Sequence, residues 1–132
     1  MIPKFRAWSK LASRMYIVNG LYFDIGMVQY ANNDNAIRFI KLENIILMQS
    51  TGLKDKNGKE IFEGDIITNG IDIVDVRNHE TLGFYTMVNG REVFFGHGTN
   101  IEEFEEDIEG FTEIAEILGN IYENPELLEV ED

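Results

Sequence analysis

Cysteine is missing from the 132 residues, proline occurs only twice and tryptophan once. Without cysteine there is no disulfide framework, no thiolate zinc site and no cysteine nucleophile, and a reducing, cytoplasmic setting is the default expectation. No apolar run approaches the roughly 18 residues that a membrane span requires, and Met1 to Trp8 lacks the apolar stretch of a signal peptide. Basic residues are scarce in one half: residues 1–66 hold nine bases and seven acids, whereas 67–132 hold two bases and seventeen acids, for a total of −13. What is present is a chain with 44% apolar residues, long enough to bury a core. Disordered chains, peptide-sized staple folds and multi-domain enzymes are thereby excluded, and one acidic, soluble domain over residues 1–132 is expected.

Asn-Gly is the strongest short signal for a two-residue hairpin turn, because both central positions need positive φ. It occurs at Asn19-Gly20, Asn57-Gly58, Asn69-Gly70 and Asn89-Gly90. Runs rich in aromatic and β-branched residues predict strands at Lys4–Trp8, Arg14–Val18, Leu21–Ile25, Met27–Tyr30, Ala36–Lys41 and Ile45–Gln49. Further strands are predicted at Gly64–Thr68, Ile71–Val76, Leu82–Val88 and Glu92–Phe95. Short polar connections between them point to meandering antiparallel strands. The expected fold is mainly β, a β-rich α+β arrangement: a small, partly closed antiparallel barrel or sandwich with one or two short helices near the C-terminus.

Those helices come from a change of period. Ile101, Phe104, Ile108, Phe111, Ala115 and Leu118 recur at spacings of three and four among glutamates, which predicts an amphipathic helix at about 99–109. Glu113 to Tyr122 reads equally as helix or strand. Asn124-Pro125-Glu126 is a cap followed by a first-turn proline, predicting a last helical turn at Pro125–Leu128. The expected core is Phe5, Trp8, Tyr16, Phe23, Phe39, Ile46, Leu53, Ile61, Phe62, Ile66, Phe84, Phe94, Phe104, Ile117, Ile121 and Leu127.

Two blocks, TGLKDKNGKEIFEGDI at Thr51–Ile66 and GNIYENPELL at Gly119–Leu128, resemble the hallmark blocks of the YopX family of phage and prophage proteins. The opening KFRAWSK at Lys4–Lys10, followed by Met15-Tyr16, is similar to that family's usual start. The resemblance spans nearly the whole chain. It implies a β-rich domain encoded in bacteriophage or prophage genomes and acting in the bacterial cytoplasm, and it supplies no catalytic residues to carry over.

Asp55-Lys56-Asn57-Gly58-Lys59 superficially suggests a calcium loop, but glycine falls at position 4, Lys59 at 5 and Ile66 at 12, so the spacing fails. The cluster reads instead as a turn, with Ile61 and Phe62 in the core and Glu63-Gly64-Asp65 as a second tight turn. His79 and His97 lack the spacing of a metal or catalytic pair and read as loop or surface histidines; with nearby carboxylates they are the candidates should a metal bind. Gly96-His97-Gly98 before a helix start suggests an anion cradle, which the glutamates behind it would oppose. Ser9, Ser13 and Ser50 sit in no nucleophile context, and no glutamate pair stands out from the tract. No catalytic residue, cofactor or metal site is therefore expected, and the chain is not read as an enzyme.

Two charged regions offer binding surfaces. Lys4, Arg6, Trp8, Lys10 and Arg14 interleave bases with aromatics, with Phe5 and Tyr16 beside them, which are the ingredients of a single-strand nucleic-acid face. The net charge opposes that reading, and the competing one makes the aromatics core residues of the first hairpin. From Glu102 to Asp132 there are thirteen acids and no base, beyond what solubility asks. That segment reads as a solvated face and tail or, more sharply, as an acidic face of Glu102, Glu103, Glu105, Glu106 and Glu109 that docks a basic host protein by imitating nucleic acid. The leading expectation is a non-enzymatic accessory protein that binds a protein partner or itself as a homo-oligomer, with no membrane and no nucleic-acid partner.

Overall fold

Strand β1 (Phe5–Ser9) lies between two antiparallel neighbours, β2 (Arg14–Tyr22) and β5 (Ile45–Lys54). The computed structural model describes residues 4–31, 36–88, 90–94 and 114–129. Beyond β2 come β3 (Met27–Ala31) and β4 (Ile37–Lys41), giving the order β4-β3-β2-β1-β5. Side chains alternate across a pleated strand, so the register sorts them into two faces. Ala7 stands opposite Tyr16 and Leu47, and Val28 opposite Leu21 and Ile40. Ala7, Val28 and Ile45 are buried there, with Val18, Leu21, Ile40, Leu42 and Leu47 packed on them.

The chain divides into two compact units, 1–50 and 51–132. In the second, the end of β5 is joined by β6 (Glu60–Phe62), where the Thr51 hydroxyl donates to the Ile61 carbonyl at 2.7 Å. Two three-stranded antiparallel sheets follow. One contains β7 (Asp65–Thr68), β8 (Ile73–Asp75) and β12 (Glu116–Asn120), in the order β12-β7-β8. The other contains β9 (Arg77–His79), β10 (Gly83–Val88) and β11 (Arg91–Phe94), in the order β11-β10-β9. Ile61, Ile67 and Val76 form the core of this unit, with Leu53, Val74, Phe84 and Ile117 against them.

The mainly β, antiparallel expectation holds, but no sheet among the described residues closes into a barrel, because β4 and β6, β8 and β12, and β9 and β11 remain terminal strands. Asn19-Gly20 makes no turn. Strand β2 runs through it, with one extra residue between the Val18–Tyr30 and Gly20–Gln29 pairs, a bulge against β3 that follows directly on the Arg14–Ile17 stretch paired with β1. The turn comes at Phe23–Gly26, closed by Gly26 at φ 65°, so the strand expected at Leu21–Ile25 stops at Tyr22. Gly58, Gly70 and Gly90 do take positive φ in their turns. The segment that reads both ways contains a strand, β12, and a 3-10 turn forms at Pro125–Leu128. The helix expected at 99–109, and Phe104 with it, lies outside the described residues.

Candidate functional site

The two hallmark blocks meet in the second unit. Asp55 is only 4% exposed, at the start of the Asn57-Gly58 turn. Its Oδ1 accepts from the backbone N–H groups of Asn57 and Lys59, both at 2.9 Å, and its Oδ2 accepts from Ile117 N–H at 3.0 Å, 62 residues along the chain. Lys56 N–H donates to the Ala115 carbonyl beside it, and the Lys56 ammonium lies 3.4 Å from Glu116. Burial pushes the Asp55 carboxyl up, but the three N–H groups of Ile117, Lys59 and Asn57, with the Lys59 charge, outweigh it and hold the group below its ordinary value. Both carboxylate oxygens are thus spent on backbone donors, which is the geometry of a clasp between distant segments.

A second set of bonds closes the same seam. Gly64, at φ 87°, accepts from Ile121 N–H at 2.9 Å and donates to the Val76 carbonyl at 2.8 Å. Asp65 accepts from Phe62 N–H at 2.8 Å, and β7 pairs with β12 through Asp65–Asn120 and Ile66–Gly119. The Asn120 side chain accepts from the N–H groups of Tyr122 and Glu123, while Asn124 accepts from Asn120 N–H. A Cβ added at Gly119 would stand 2.7 Å from Asn124 Cγ, so the Asn124 side chain would have to shift to admit it. The polar residues of the two blocks therefore hold backbone in place, and the sequence reading of 55–59 as a turn is realised with a long-range bond it did not anticipate.

The residues named for a nucleic-acid face do not form one surface. Arg6 is buried, and the β1–β2 register puts Arg14 and Tyr16 on the side of Ala7, opposite Arg6 and Trp8. Lys4 and Lys10 are exposed at the two ends of β1, where the Lys10 ammonium donates to the Glu43 carbonyl at 3.2 Å. His79 belongs to strand β9 rather than a loop. Its Nδ1 accepts from the N–H groups of Thr81 and Leu82, both at 3.2 Å, which selects the tautomer protonated at Nε2. Its ring meets those of Tyr85 and Phe94 edge-on. No group of three His, Asp or Glu side chains is placed to hold a metal ion among the described residues. His97 and the acidic face of Glu102, Glu103, Glu105, Glu106 and Glu109 lie outside them.

The feature that sequence reasoning missed is the outer face of the first sheet. Phe23 and Phe39 are expected in the core, yet Phe23 sits exposed in the turn after β2, and Phe39 faces outward opposite Gln29. Ile17, Ile37 and Phe39 are 62%, 65% and 52% exposed, and the Tyr22 ring lies 6.0 Å from that of Phe39. Register places all of them, with Trp8, Met15 and Met27, on the side opposite Ala7 and Val28. Strand β4, which carries two of them, is a terminal strand of the sheet. The available signal was the alternation Ile37-Arg38-Phe39, which marks a strand with an apolar residue on every second position but not which face is covered.

The family model described as YopX protein matches residues 4–129. Among solved structures, the crystal structure of protein EF1440 from Enterococcus faecalis is similar, at 27% identity and a TM-score of 0.61, covering 98% of this chain and 99% of that one. No curated protein matches.

Proposed function

The chain belongs to the YopX protein family, and from that premise we propose that it is a phage or prophage accessory protein of the bacterial cytoplasm that works without catalysis, as a binding or oligomeric interaction module. The observation that supports this reading is the outer face of the first sheet, where Ile17, Tyr22, Ile37 and Phe39 are exposed together beside a terminal strand. Contiguous apolar surface of this kind marks interaction sites in soluble proteins, and terminal strands offer unpaired backbone groups to a partner. The polar residues of the hallmark blocks support it from the other side, being engaged in backbone support rather than aimed at a substrate.

Light scattering across a concentration series, combined with capture from bacterial lysate, tests the reading on wild type and on Ile37→Glu/Phe39→Glu. The expected result is self-association or a captured partner that the variant loses. A protein that neither associates nor loses any captured partner on substitution overturns it. A second reading, an acidic inhibitor docking a basic host protein, is supported by the thirteen acids from Glu102 onward. It predicts a captured basic protein lost when Glu102, Glu103, Glu105 and Glu106 become glutamine.

A further inference from the structure

Two surfaces have matching apolar character and opposite charge. None of strands β1 to β5 contains an aspartate or a glutamate, in a chain with 24 of them. On the outer face the charged side chains are Arg6, which is buried, and Lys41, which is exposed two residues beyond Phe39 on the same side of β4. The other surface is the loop between β7 and β8. Ile71 is 88% exposed there, yet the loop is pinned: Asn69 Oδ1 accepts from Ile71 N–H at 2.9 Å and from Asp72 N–H at 2.8 Å. The Thr68 hydroxyl donates to the Asp72 carbonyl at 2.8 Å and accepts from Gly70 N–H at 3.0 Å. Ile73 follows and is also exposed, while Val74 turns into the core. The fold gives Ile71 no packing role, and a loop already held in one shape loses little freedom when it binds.

We infer that the Ile71–Ile73 loop of one copy docks on the outer face of the first sheet of a second copy, setting Ile71 and Ile73 against Ile37 and Phe39 and Asp72 beside Lys41. The inference deepens the interaction-module reading and rests on it. Charge selects the occupant. Residues 1–50 hold six bases and three acids, a net of +3, and residues 51–132 hold five bases and twenty-one acids, a net of −16. Packing two outer faces together would set cation against cation, whereas loop on face sets anion against cation. Because the two surfaces differ, the contact is heterologous, and it builds a ring or an open chain rather than a two-fold dimer.

Sedimentation velocity on the full chain tests this with a face variant, Ile37→Ser/Phe39→Ser, and a loop variant, Ile71→Ser/Ile73→Ser. Wild type is expected to grow in mass with concentration, more at low salt than at high. Each variant alone is expected to associate at least about thirtyfold more weakly, the scale of truncated interface anchors. An equimolar mixture of the two is expected to form dimers and nothing larger, since one intact loop and one intact face remain. A wild type that stays monomeric, a loop variant that assembles like wild type, or a mixture that stays monomeric overturns the inference. Should a variant fail to fold, the pair Lys41→Glu and Asp72→Lys makes the same test, each weakened alone and restored on mixing. A monomeric wild type that still captures a lysate partner through Ile37 and Phe39 sinks the inference and leaves the interaction-module reading standing.

Discussion

The two units are built from opposite materials. The first is a run of antiparallel strands free of carboxylates, in which chain neighbours β1, β2, β3 and β4 pair in order. The second carries the acid excess, and its buried aspartate, Asp55, accepts from Ile117 N–H across 62 residues. Local hairpins assemble from pattern and turn chemistry, whereas a seam between distant segments needs groups whose only work is to satisfy backbone donors. The hallmark blocks mark where the chain is tied, and the exposed apolar residues Ile17, Ile37 and Phe39 lie outside them.

The sharpest way to break that contrast is Asp55→Ala. It strands three backbone N–H groups, and the expected loss is on the order of 3 kcal/mol of unfolding free energy in a urea titration. Amide exchange of Asn57, Lys59 and Ile117 is expected to accelerate while that of β1 to β4 holds; uniform acceleration would show that the units do not open separately. The pH response has a definite sign. Asp55 titrates lower in the folded chain than in the unfolded one, so its stabilisation is present above about pH 4 and is lost as pH falls through the folded value. As pH falls below about 4, wild type is therefore expected to lose stability more steeply than Asp55→Asn.

Gly119→Ala comes next, at about 2 kcal/mol, because the new Cβ must displace the Asn124 side chain and with it the turn after β12. A melt unchanged by this substitution would mean that the turn yields freely. His79→Ala removes one acceptor shared by two partly exposed N–H groups, and about 1 kcal/mol is expected, read by chemical denaturation. Smallest of all is Ile37→Ser/Phe39→Ser, within about 0.5 kcal/mol of wild type, since both side chains already face water. A larger loss there would mean that the outer face supports the first unit rather than serving a partner.

What the sequence revealed depended on distance along the chain. Gly58, Gly70 and Gly90 announce their turns because positive φ is a local demand, and the strands on either side follow from their β-branched and aromatic residues. Asn19-Gly20 carries the same signal and is overridden, since hydrogen bonding to β1 and β3 together holds Arg14–Tyr22 extended. Strand β9 is short and polar, Arg77-Asn78-His79, and exists through its pairing with β10 rather than through any propensity of its own. Composition ranks Phe39 as core, yet burial of a strand residue is decided by its side of the pleat, and register is a property of the pairing. The turn at Asp55 was legible; its bond to Ile117 was not, because no local pattern encodes a partner so remote.

The tie between Asp55 and Ile117 also bears on the order of assembly. It joins positions 62 apart in the chain, so it must meet the entropy of closing that separation before it returns any stability, whereas the hairpins that pair β1 with β2, β2 with β3 and β3 with β4 form from near neighbours. The clasp that holds the second unit together in the finished fold is therefore expected to be among its last bonds to form.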